Sequence, residues 1–132
     1  MGNRLEQTLE EVAKEKELKK RRVRREEKRL KKVYENIQKD KAIIDGLIQR
    51  AAYMRITLED FEKDIDTLGY VELFSQSDRM DPYERERPVA RLYNTMNKNY
   101  QSIVKQLSDL VPKHEAKVED DGFESFIGGR DD

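Results

Sequence analysis

Apolar residues recur along this chain mostly at gaps of three, four and seven, the period of a helix with one buried stripe. From Leu5 to about Arg55 there is no proline, and the one interior glycine is Gly46. Leu5, Leu9 and Val12 start the stripe, and Leu30, Val33, Ile37, Ile44, Ile48 and Ala51 resume it. Between Ala13 and Arg29 it thins to Leu18 and Val23 among charges. That section is helical by propensity with almost nothing to pack, so it is expected to be exposed and to fray in isolation.

Arg55–Asp60 reads as a break followed by a new helix, with Thr57 as N-cap and Asp60 completing an approximate capping box. Leu58, Phe61, Ile65 and Leu68 give that short helix its apolar face, and Gly69 is placed to end it. Tyr70 to Phe74 is rich in strand formers and leads into a polar stretch with Asp81-Pro82, which leaves a small β-hairpin or a loop equally open. Pro88 suits the first turn of a last helix. A coiled-coil-like seam of Val89, Leu92, Met96, Ile103, Leu107 and Leu110 follows, interrupted by Asn99, and Pro112 ends it.

The expected fold is mainly α: a long antiparallel helical hairpin with a short connecting helix and a small β-hairpin or loop. Its segments are a basic N-terminal helix over 1–33, a helical core over 34–112 and an acidic tail over 113–132. Two helices have only each other to bury against, yet Ile43, Leu47, Met54, Tyr93, Tyr100 and Val104 lie off the main stripes. Lateral packing against identical copies, in a bundle or ring, is the economical solution.

Composition supports that need for partners. Of 132 residues, 42% are charged and 36% hydrophobic, against about 25% and 45–50% in ordinary globular domains. So little apolar surface makes a poor monomeric core. There is no cysteine, which removes disulfides, thiolate nucleophiles and cysteine zinc sites. No stretch reaches a membrane span, and Met1–Glu6 lacks the apolar region of a secretory signal.

The net charge of −1 conceals a strong asymmetry. Lys19, Lys20, Arg21, Arg22, Arg24, Arg25, Lys28, Arg29, Lys31 and Lys32 are opposed within their segment only by Glu26 and Glu27. Cations on every face of a helix suit a polyanion, and no aromatic residue interleaves them for base stacking. These ten are therefore the candidate nucleic-acid contacts, through backbone phosphates rather than bases. The alternatives are a solvated charged helix and an anionic membrane surface, the last disfavoured because the section lacks an apolar face.

Catalysis finds little support. The single histidine, His114, follows Pro112, and Gly128-Gly129 lacks the Lys-Ser/Thr of a phosphate loop. The acidic run Glu59, Asp60, Glu62, Asp64 and Asp66 reads as solvated helix surface. No cofactor and no metal site is expected, and the chain reads as a non-enzyme. In the tail, Phe123, Phe126 and Ile127 would share one side of a helical turn among acids, the pattern of a short docking peptide; an inert tail is the alternative.

Three stretches carry a resemblance. Ala51-Ala52-Tyr53-Met54-Arg55-Ile56-Thr57-Leu58-Glu59-Asp60 is the first. Arg87-Pro88-Val89-Ala90-Arg91-Leu92-Tyr93-Asn94-Thr95-Met96-Asn97-Lys98-Asn99-Tyr100 is the second, and Ile103-Val104-Lys105-Gln106-Leu107-Ser108-Asp109-Leu110-Val111-Pro112 is the third. Together they resemble the small terminase subunit of tailed bacteriophages over roughly residues 43–113.

The resemblance implies a ring-forming factor that binds double-stranded viral DNA in the host bacterial cytoplasm. Such a factor hands DNA to the large terminase subunit, an ATPase and nuclease motor. On that reading Ile37, Ile44, Ile48, Leu92, Met96, Tyr100, Ile103 and Leu107 belong to the oligomerisation core. The basic helix would touch DNA, and Phe123, Phe126 and Ile127 would be a motor contact. Both of these assignments lie outside the matching block and rest on charge and spacing. Several small terminases carry a compact helix-turn-helix before the core, and Leu5 to Val33 has too few apolar residues to build one. A homo-oligomeric scaffold and an RNA-associated coiled-coil factor are the competing readings. Glutamate at Lys19, Arg21, Arg22 and Arg25 is expected to abolish DNA binding while sparing the ring.

Overall fold

Three helices and a β-ribbon make up the computed structural model, which describes residues 2–37 and 40–112. Helix α1 is Gly2–Val33, α2 is Lys41–Leu68 and α3 is Pro88–Asp109; strands β1 (Val71–Phe74) and β2 (Tyr83–Glu86) lie between α2 and α3. Helices α1 and α3 both pack on α2. None of the described helices is long and apolar enough to cross a membrane.

The break in the first half falls at 34–40, and α2 runs without interruption through Arg55–Asp60. This corrects the expected helix start at Thr57, and with it the separate short connecting helix. Ile56, Thr57 and Leu58 are all buried, so tertiary packing holds β-branched residues in the middle of a helix. The chain turns without glycine or proline. Tyr34 N–H donates to the Leu30 carbonyl at 3.0 Å and Ile37 N–H to the Tyr34 carbonyl at 3.2 Å. Asp40 takes the left-handed conformation (φ 56°), which a short polar side chain tolerates better than most.

Gly69 ends α2 with φ 82°, its N–H donating to the Ile65 carbonyl at 2.7 Å. The stretch after it is a hairpin rather than a loop, with Val71 opposite Glu86 and Phe74 opposite Tyr83 in antiparallel register. Arg87 ties the base of this hairpin to α2, donating to the Gly69 carbonyl at 2.7 Å and to Asp64 Oδ2 at 2.9 Å. It precedes Pro88 in extended conformation, as a residue before proline should.

The core lies where all three helices meet. Leu30 and Ile37 come from α1 and the following turn, Ile44, Ile48, Ala51 and Ala52 from α2, and Leu107 from α3. Ala51 and Ala52 are fully buried. On α3, Ala90 and Leu107 are buried and Val89, Tyr93, Met96, Asn97, Tyr100, Ile103 and Val104 half-buried, with Leu110 and Val111 half-buried just beyond its end. Of the expected seam, Leu107 is buried and Val89, Met96, Ile103 and Leu110 are half-buried, whereas Leu92 is 56% exposed, Asn99 is exposed, and Tyr93 and Tyr100 share the packed side. Tyr93 and Tyr100 suit that side because tyrosine rings pack while their hydroxyls reach polar partners at the rim. Tyr93 donates to Glu62 Oε2 at 2.9 Å, and Tyr100 accepts from Arg55 Nη1 at 3.5 Å.

Candidate nucleic-acid interface

Helix α1 has two faces with different chemistry. Lys19, Arg22, Val23, Glu26 and Leu30 recur at helical spacing and turn towards α2. Arg22 Nη1 donates to Asp60 Oδ1 at 2.6 Å and Nη2 to Glu59 Oε2 at 3.0 Å. The hydrogen bond to Asp60 does most to hold the Arg22 guanidinium above its ordinary pKa. Glu26 is buried and accepts from Arg29 Nε at 2.7 Å, with Arg55 Nε 3.7 Å from its other oxygen. Lys19 Nζ lies 4.6 Å above the centre of the Tyr53 ring, close enough for a cation–π contact.

The basic segment is thus not a bare helix. The acidic run of α2 holds it, through Glu59 and Asp60 on Arg22, while Asp64 pairs with Arg87 and Glu62 accepts from Tyr93. Opposite-sign runs at 19–32 and 59–66 were the available signal, and pairing them requires knowing that the chain turns at 34–40. Complementary charge substitutes for the missing apolar stripe on this part of α1.

The opposite face carries what remains. Arg21, Arg24, Arg25, Lys28, Lys31 and Lys32 are exposed and make no ion pair among the described residues. Their spacing places them within roughly one third of the helix circumference. The stripe is about 17 Å long, the rise of some five base pairs of duplex. Of the other four candidate contacts, Lys20 pairs with Glu17 at 3.7 Å, while Lys19, Arg22 and Arg29 have partners on α1 or α2. Cations on all faces thereby become one cationic stripe. Glu26, one of the two acids in the segment, is buried away from it.

The oligomerisation candidates divide as well. Ile37, Ile44, Ile48 and Leu107 are buried by this chain's own helices. Tyr100 and Ile103 pack half-buried against the same core, Met96 is half-buried, and Leu92 is exposed. Tyr93 and Val104, read as surplus apolar surface, are half-buried, and Tyr93 bonds Glu62 of α2. Phe123, Phe126, Ile127 and His114 lie outside the described residues. Among the described residues no group of three or more His, Asp or Glu is placed to hold a metal ion. Comparison with protein-family models, curated proteins and solved structures finds no match to this chain.

Proposed function

We propose that this chain is a non-catalytic, self-assembling DNA-binding adaptor of the small terminase type, which brings viral DNA to a separate ATPase and nuclease subunit. The observation that carries the reading is the outward stripe Arg21, Arg24, Arg25, Lys28, Lys31 and Lys32, exposed and without ion pairs among the described residues. Six like charges on one face repel one another, and phosphates relieve that repulsion. The stripe sits on a helix fixed to the body by buried Leu30 and by the Arg22 and Glu26 ion pairs, so the cations are presented in a set array. The resemblance over residues 43–113 supports the packaging role and ring assembly.

A labelled duplex titrated at several salt concentrations tests the DNA contact. With all six cations on phosphates, log K falls against log salt with a slope of about −5. Arg21→Glu/Arg24→Glu/Lys28→Glu/Lys31→Glu abolishes binding without changing helix content, whereas Arg79→Glu/Arg91→Glu, on the hairpin loop and α3, leaves it intact. Equal binding by wild type and the stripe variant would refute the assignment. Competition with double-stranded RNA separates DNA from RNA as the ligand.

A further inference from the structure

The face of α1 that packs on α2 does not stop where α2 stops. Leu5, Leu9 and Val12 lie on the same helical face as Val23 and Leu30, but α2 ends at Leu68, level with Val12. Residues 2–11 therefore project as an arm of about 15 Å. Leu5 is 66%, Leu9 61% and Val12 42% exposed, whereas Leu30 further along the same face is buried. Glu6, Glu10 and Glu11 flank the apolar residues and make no ion pair among the described residues.

At the base of the arm, a groove of about 930 Å³ opens between α1 and α2, floored by Val12, Leu18 and Leu68. It follows α1 from Val12 to Arg22, also about 15 Å. Its acids Asp60 and Asp64 are taken by Arg22 and Arg87, leaving Glu15 as the acid with no ion pair, whereas Lys16 and Lys63 are unpaired among the described residues. The groove thus presents an apolar floor and a net positive rim. Arm and groove wall belong to one continuous helix, so a chain cannot lay its own arm in its own groove.

We infer that the arm of one copy lies in the groove of a second copy, with Leu5 and Leu9 on Leu18 and Leu68 and the arm's glutamates facing Lys16 and Lys63. Length, apolarity and charge all match. This rests on the self-assembly reading above and names the contact that carries it. The DNA stripe, on another face of α1 and C-terminal to the arm, stays free.

The chain has no cysteine, so introduced thiols are unique. Leu9→Cys chains mixed with Lys63→Cys chains should oxidise to a species of twice the chain mass, well beyond the yield with Gln101→Cys chains on exposed α3 surface. Equal yields would overturn the contact. In parallel, Leu5→Glu/Leu9→Glu should weaken association at least about a hundredfold, read as a fall in light-scattering mass, with helix content unchanged. An oligomeric wild type whose mass is unaffected by that double substitution defeats the arm contact alone. A monomeric wild type defeats the self-assembly reading as well.

Discussion

Thr57 shows how far the role of a residue depends on its surroundings. In sequence it combines a capping hydroxyl with an acid three positions later; in the fold it sits inside α2, buried, with no hydrogen-bond partner for its Oγ1 among the described residues. The two situations give opposite signs on substitution. Removing a capping hydroxyl costs about 1 kcal/mol, whereas replacing a buried unpartnered hydroxyl by a methyl group of similar volume relieves its desolvation. Thr57→Val should therefore stabilise the protein by about 0.5–1 kcal/mol in denaturant unfolding, and destabilisation would restore the cap reading. Gly69 and Pro88 need no such context, because a positive φ and a missing N–H are properties of the residue itself. Both were legible at once. Glu26 was not, since nothing local marks one glutamate among many charges as the buried one that Arg29 and Arg55 enclose.

Helix α2 serves both of its neighbours, and its two interfaces differ in how readable they were. Its contact with α3 follows from apolar periodicity, and the packed side of α3 is broader than the expected seam, taking in Tyr93 and Tyr100, whose hydroxyls bond Glu62 and Arg55 of α2. Its contact with α1 depends on Arg22 and Glu26, residues that hydropathy marks as exposed. The turn at 34–40 has neither glycine nor proline, so the boundary between α1 and α2 left no local mark. The Tyr93–Glu62 bond makes the α2–α3 contact open to titration. Hydrogen bonding to Glu62 first, and desolvation second, raise the Tyr93 pKa above its ordinary value near 10. A raised folded-state pKa favours the neutral phenol, so this contribution is complete below the ordinary tyrosine range and is lost as pH climbs through the raised value. Phenolate absorbance, taken as the difference from Tyr93→Phe, should show a midpoint above the ordinary range, and Glu62→Gln should lower it. An unchanged midpoint would mean that the bond is absent in solution.

At the scale of the molecule, the two faces of α1 contribute to stability with opposite signs. Its inner face stabilises the fold; its outer face crowds like charges at i,i+3 and i,i+4, each such pair costing roughly 0.2–0.5 kcal/mol. Arg21→Gln/Arg24→Gln/Arg25→Gln/Lys28→Gln keeps helix propensity nearly constant and spares Lys31 and Lys32, which favour the end of the helix through its dipole. This variant should be more stable than wild type by about 1 kcal/mol without DNA, because the repulsion is gone. With duplex present at a hundred times its Kd, wild type should gain about 2.7 kcal/mol, seen as a rise of several degrees in melting temperature, and the variant should gain none. High salt should erase the wild-type gain, since phosphate contacts are screened together with the repulsion that favours them. Greater stability without ligand combined with loss of the ligand's protection is the mark of a surface held under strain for binding. A variant that is merely less stable, and still protected by DNA, would assign the stripe to folding instead.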